Sequence, residues 1–152
     1  MNLLTDNEYI VKCTNSATAK KYGIDNTPSG DIVAALLLVK KNIYDPLCIA
    51  YNTIIPISSG YRCKELNTKI GGSKTSDHMF GRALDLDMDD IGLNNNELFD
   101  RIRKTLQFKQ MIKEFGTEES PAWVHVAWEE DNLKNECLRA LTINKKTVYS
   151  KI

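Results

Sequence analysis

The chain contains two histidines, His78 and His125, each in an unusual local setting. The first lies in Ser76-Asp77-His78-Met79-Phe80-Gly81-Arg82-Ala83-Leu84-Asp85 and the second in Trp123-Val124-His125-Val126-Ala127-Trp128. A catalytic zinc ion typically takes three protein ligands from His and Asp or Glu and keeps a fourth position for water. Two histidines and one carboxylate meet that count, and Asp85 is the best-placed carboxylate. A chain reversal at Gly81 can bring His78 and Asp85 to one ion, with His125 supplied by a neighbouring strand. His-x6-Asp has no fixed helical or strand register, so spacing alone favours reading each histidine as a surface or hydrogen-bonded core residue.

A metal-assisted hydrolase also needs a base, and a cation or donor for the developing oxyanion. Glu114 ends one expected strand, Glu118 and Glu119 sit in the connection that follows, and Arg62 comes directly after Ser58-Ser59-Gly60-Tyr61. Spacing does not choose among the glutamates, and each charge taken singly reads as a solvated surface group. Asp87 is expected on the strand face of Asp85, either beside it or as a strand-end surface acid. Trp123 and Trp128 read first as core. Gly71-Gly72 reads equally as a turn or as part of a groove.

The elements that must position these residues follow from patterning. The opening thirty residues end in the turn-rich Gly23-Ile24-Asp25-Asn26-Thr27-Pro28-Ser29-Gly30 and read as an arm lying on one domain that spans residues 1–152. Asp31 is expected to cap a helix to about Lys41 or beyond, with Ile32, Ala35, Leu36 and Val39 on one face. Ile54–Ser59 reads as a strand at an edge or early position because of Pro56. A short helix over Cys63–Lys69 stops at Gly71-Gly72. Ala83–Met88 alternates as a strand, and Asn94-Asn95-Asn96 supplies the N-cap of a helix carrying Leu98, Ile102 and Leu106. Phe108–Phe115 and Ala122–Trp128 read as strands, and Leu138–Ile143 with Thr147–Ser150 as a hairpin around Asn144-Lys145-Lys146. Helices and strands without a regular βαβ rhythm point to an α+β fold.

Composition narrows the function classes. The 152 residues are 42% hydrophobic and 26% charged, enough to bury a core. Twenty Lys+Arg balance twenty Asp+Glu, which argues against a nucleic-acid binder held by counterion release. The longest apolar run, Ile32–Val39, is far shorter than the ~18 residues that span a bilayer, so no membrane partner is expected. The first residues carry no basic and apolar leader pattern, so no secretory signal peptide is expected. The four cysteines, Cys13, Cys48, Cys63 and Cys137, have no C-x-x-C pair and read as reduced thiols, mostly buried.

The segments Ser59-Gly60-Tyr61-Arg62, Leu66-Asn67, Gly71-Gly72-Ser73, Ser76-x-His78-x-x-Gly81-x-Ala83-x-Asp85 and Trp123-Val124-His125-Val126 occur in this order. Together they resemble the zinc D-Ala-D-Ala carboxypeptidase family, peptidoglycan peptidases that share a fold with the hedgehog signalling domain. Thr18-Ala19 and Gly23–Pro28 resemble its phage and prophage endolysin-type branch, so the likeness runs from about residue 16 to 128. It implies a small mixed or antiparallel sheet packed by helices, and one zinc ion held by His78, Asp85 and His125. It implies that Arg62 orients substrate and stabilises the oxyanion, and that Ser76 contacts substrate or hydrogen-bonds within the site. Many relatives carry an acid three positions before the last histidine, where this chain has Ala122. In the branch it resembles, a Glu follows a Gln-apolar-Ile-x pattern, which Gln110-Met111-Ile112-Lys113-Glu114 matches. Glu114 is therefore the expected base, with Glu119 second. The implied function is hydrolysis of peptidoglycan peptides, as a D,D-carboxypeptidase or an L-Ala-D-Glu endopeptidase. The expected enzyme is a monomer made in a bacterial host cytoplasm that acts on the wall after release. The alternatives are a catalytically silent zinc-binding module and a phage structural component.

Overall fold

The computed structural model describes residues 1–152 and is α+β, with six helices and one six-stranded sheet. Helix α1 (Asp6–Thr14) starts at a reciprocal cap in which Thr5 Oγ1 accepts from the Glu8 N–H while the Glu8 carboxylate accepts from the Thr5 N–H at 2.8 Å. Helix α2 (Ala17–Tyr22) is capped by Ser16 and closed by Gly23 in the left-handed region. The opening segment is thus mostly helical, and Tyr9 and Cys13 enter the main core.

Helix α3 (Gly30–Val39) is capped by Ser29, whose hydroxyl accepts from the Ile32 N–H; Asp31, the expected cap, sits in the first turn instead. The helix does not stop near Lys41. It passes through a π-helical turn, Lys40–Tyr44, into α4 (Asp45–Tyr51), which ends at Asn52 with φ 51°. Pro46 explains the widened turn. Its ring cannot sit over the carbonyl four residues back and it has no N–H to donate, so the chain shifts to i→i−5 bonding just before it, with the Asp45 N–H on the Lys40 carbonyl.

Strand β1 (Ile57–Ser59) is shorter than the sequence suggests, with Pro56 just outside it. Helix α5 (Lys64–Lys69) is followed by β2 (Ala83–Leu86), α6 (Asn95–Thr105), β3 (Gln110–Glu114), β4 (Trp123–Ala127), β5 (Glu136–Ile143) and β6 (Lys146–Lys151). The spatial order is β1-β2-β4-β3-β5-β6, and every neighbouring pair is antiparallel except β3 and β5. The last hairpin turns on Asn144 and Lys145, both at positive φ, so Lys146 belongs to the strand.

Alternation divides the sheet into two faces. Leu84, Leu86, Met111, Val124 and Val126 are fully buried in one core with Tyr9, Leu36, Ile43, Leu98 and Phe99 from the helices. Asp85, Glu114 and His125 fall on the opposite face. Strand β2 ends two residues earlier than expected because Asn95 takes over. Its Oδ1 accepts from the Met88 N–H at 2.7 Å, and its Nδ2 reaches Asp87 and the carbonyls of Pro121 and Ala122. Asp87 therefore serves the turn after β2, accepting from the Asp89 N–H as well. No helix is long and apolar enough to cross a membrane.

Asn95 is fully buried and ties the end of β2 to the approach to β4, the two strands that carry Asp85 and His125. Asn95→Ala leaves the Met88 N–H without a protein partner, and urea denaturation should show a loss of about 2–3 kcal/mol. A variant as stable as the parent contradicts this account of the junction.

Candidate metal centre

His78 lies in a 3-10 turn, Asp77–Phe80, that Ser76 initiates by accepting from the His78 N–H with its hydroxyl and Gly81 closes at φ 67°. Gly81 is constrained twice, because a Cβ there would also meet the Ile32 carbonyl oxygen of α3 at 2.8 Å. Asp85 and His125 are direct cross-strand partners in β2 and β4, so register alone brings them together. The three side chains converge. His78 Nε2 stands 3.2 Å from Asp85 Oδ1 and 3.2 Å from His125 Nδ1, and the latter two atoms are 3.0 Å apart.

That triangle fits one zinc ion. Bonds of 2.0–2.1 Å in tetrahedral geometry place neighbouring ligand atoms about 3.3 Å apart, close to the observed spacings. Two imidazoles and a carboxylate are also the donor types zinc accepts with a position left open. His78 Nδ1 donates to the Gly60 carbonyl at 2.6 Å, which leaves the Nε2 lone pair facing the other two donors. Burial alone would raise the Asp85 pKa, but its two histidine neighbours, His78 first, hold it well below the usual carboxylate range. Burial pulls the His78 pKa down against the pull of Asp85. An ionised carboxylate beside a neutral imidazole is the state metal ligands need.

Ser59-Gly60-Tyr61-Arg62 grips this centre along its length. Ser59 is the cross-strand partner of Asp85, the Gly60 carbonyl fixes His78, and the Arg62 N–H donates to the His78 carbonyl at 3.1 Å. The Arg62 guanidinium lies 3.7 Å from Asp85 Oδ2, largely buried, and its Nε has no partner within the chain. Burial lowers the Arg62 pKa against Asp85 and Glu114, and a guanidinium remains charged regardless. Gly60 has to be glycine, since a Cβ would sit 2.6 Å from the Cys13 backbone. Asn26 brackets Arg62: its Nδ2 donates to the Tyr61 and Thr14 carbonyls and its Oδ1 accepts from the Cys63 N–H. A cleft of about 310 Å³ opens against the segment, lined by Ser59 and Arg62 on one side and Ser16, Thr18 and Leu66 on others. A larger surface depression, beside Tyr22 and Lys64, is lined by none of the three converging residues.

The three glutamates part company. Glu114 is buried on the site face, and burial pushes its pKa up to about 7, with His125 and Arg62 opposing and Asp85 adding to the rise. Glu118 bonds Lys113 Nζ at 2.7 Å and lies 3.4 Å from Arg139, both on the other face of the sheet. Glu119 is exposed in the loop. A chain of ions, which spacing gave no sign of, anchors the His78 turn: Lys109 bonds Asp77 at 2.7 Å and Glu129 at 2.8 Å, and Glu129 bonds Arg82 at 2.7 Å. The roles of Asn26 and the Gly60 carbonyl also escaped the sequence reading, although both residues lie in quoted motifs.

A family model described as Peptidase M15 matches residues 4–127, most of the chain and all three converging ligands. No curated protein matches it.

The Glu114 environment has a pH signature in zinc-free protein. With a folded pKa of about 7 and an ordinary value of 4.5, the folded state binds the proton more tightly between those limits. Stability conferred by protonated Glu114 is therefore lost as pH rises through that window. Zinc-free Glu114→Gln should match the parent in urea at pH 4.5 and exceed it at pH 8 by about 2–3 kcal/mol. Equal stabilities at both pH values contradict the burial of Glu114.

Proposed function

Because the chain belongs to the peptidase M15 family of zinc metallopeptidases, we propose that it hydrolyses peptide bonds of bacterial peptidoglycan, with Glu114 as general base. The single observation that carries this reading is the triangle of His78, Asp85 and His125 donor atoms, 3.0–3.2 Å on a side, with a buried carboxyl on the neighbouring strand. Zinc held there would supply the Lewis acidity that polarises a peptide carbonyl and makes a water acidic near neutral pH. His78, Asp85 and His125 would hold the ion. Glu114 accepts the proton of the attacking water and returns it to the leaving amine. Arg62, with its unpartnered Nε and its place beside Asp85, stabilises the oxyanion and orients the peptide. Ser76 acts through His78, whose N–H its hydroxyl accepts. The substrate bond is the D,D-carboxypeptidase or L-Ala-D-Glu endopeptidase linkage. Assignment to a phage-type lysis enzyme rests on the likeness of Thr18-Ala19 and Gly23–Pro28 to that branch.

Mass spectrometry of purified peptidoglycan after digestion identifies the bond. The zinc-loaded chain should release stem-peptide fragments, and a chelator should stop it. Glu114→Gln should keep one zinc per chain and lose about 10²–10⁴-fold in turnover. Arg62→Ala should lose about 10²–10³-fold. Undiminished turnover in Glu114→Gln would remove Glu114 as the base, and intact wall after digestion by the zinc-loaded parent would remove peptidoglycan as the substrate.

A further inference from the structure

The C-terminal hairpin, β5 and β6, lies outside residues 4–127, so the family match assigns it no role. Register nevertheless carries it onto the site face. Glu114 pairs with Ala140 on β5, and Ala140 pairs with Tyr149 on β6. Residues paired across strands share a face, so Glu114, Ala140 and Tyr149 form one row. Two strand spacings put the Tyr149 backbone about 10 Å from that of Glu114. The residue between them is an alanine, whose methyl group leaves the way open for a long side chain. Tyr149 is 53% exposed where Glu114 is 8%, so the ring is the part of this row that solvent reaches.

Burial raises the Tyr149 pKa, Glu114 and Asp85 raise it further, and Arg62 opposes them. The hydroxyl therefore stays protonated at neutral pH and offers a hydrogen-bond donor. Across the sheet, Arg62 follows β1 at one edge and Tyr149 lies on β6 at the other, with Asp85, His125 and Glu114 on the strands between them. A peptide crossing the metal centre would run from the guanidinium to the phenol.

We propose that Tyr149, on the site face of the sheet two strands beyond Glu114, is a substrate-contacting residue that donates its phenolic O–H to a backbone carbonyl of the bound peptide. The inference rests on the peptidase reading above, because it needs a peptide lying across the metal centre. The ring supplies apolar contact and the hydroxyl supplies direction, so the two parts are separable by substitution.

The test uses soluble disaccharide-peptide fragments prepared from peptidoglycan. Their affinity is measured by calorimetry for the zinc-loaded Glu114→Gln protein, with and without Tyr149→Phe or Tyr149→Ala, and KM and kcat are measured in the otherwise native chain. Tyr149→Phe should weaken binding and raise KM about three- to tenfold with kcat nearly unchanged, as loss of one hydrogen bond requires. Tyr149→Ala should weaken binding further, while both variants keep the parent's zinc affinity and melting temperature. Val148→Ala, on the opposite face of β6, should leave fragment affinity alone. Fragment affinity and KM unchanged in both Tyr149 variants would overturn the proposal, and so would equal losses in Tyr149→Ala and Val148→Ala accompanied by a lowered melting temperature. Failure of the Tyr149-containing protein to bind or cut any fragment would instead overturn the peptidoglycan reading, and the Tyr149 contact with it.

Discussion

Two antiparallel strands with Asp85 opposite His125 hold the rest of the structure to account. A carboxylate and two imidazoles gathered within 3.2 Å and largely removed from solvent are costly groups to bury, and their lone pairs face one another across a single point. A one-residue slip of β2 against β4 would send Asp85 to the apolar face and bring Leu84 or Leu86 to the ligand position. The register is set from both sides. Leu84, Leu86, Val124 and Val126 lock it through the core, and Asn95 pins the strand ends through four hydrogen bonds. The core is thus the device that gives the polar face its geometry, which is why the helices packed beneath the sheet matter to the site.

His78 is the member of the triangle that the sheet does not supply, and it is secured by local means. Ser76 starts its turn, Gly81 ends it, the Gly60 carbonyl fixes the ring, and Lys109 ties Asp77 to Glu129. Gly60 and Arg62 also couple two jobs in one segment, orienting a ligand and presenting a cation. Asn26 and the close approach of Gly60 to Cys13 transmit the placement of α1 to that segment. The N-terminal helices therefore act as a brace for Arg62.

Much of this was legible in the residues. Caps and apolar spacing marked α3, α5 and α6 but not α1, α2 or α4, alternation marked β2 to β4, and the ordered motifs pointed to the three side chains that the fold brings together. What escaped had physical reasons. The helix expected to run to about Lys41 or beyond changes to a π-helical turn before Pro46, a change of bonding that apolar spacing does not show. Ser29 and Asp31 both have capping side chains, and the choice depended on where the preceding chain turned extended. Asp87 alternates correctly with Asp85, but β2 ends before it because a buried asparagine from α6 competes for the backbone. The Glu114-Ala140-Tyr149 row depends on a parallel pairing between strands separated by β4, which no local pattern encodes. Backbone contacts such as His78 to the Gly60 carbonyl leave no signature in side-chain type.

The central claim is that His78, Asp85 and His125 share one zinc ion. X-ray absorption at the zinc edge of the loaded chain tests it most directly. The account predicts a stoichiometry of one and a shell of nitrogen and oxygen neighbours at about 2.0–2.1 Å, with outer scattering from two imidazoles that drops to one in His125→Ala. A sulfur shell at about 2.3 Å, or a spectrum unchanged by loss of His125, would contradict it.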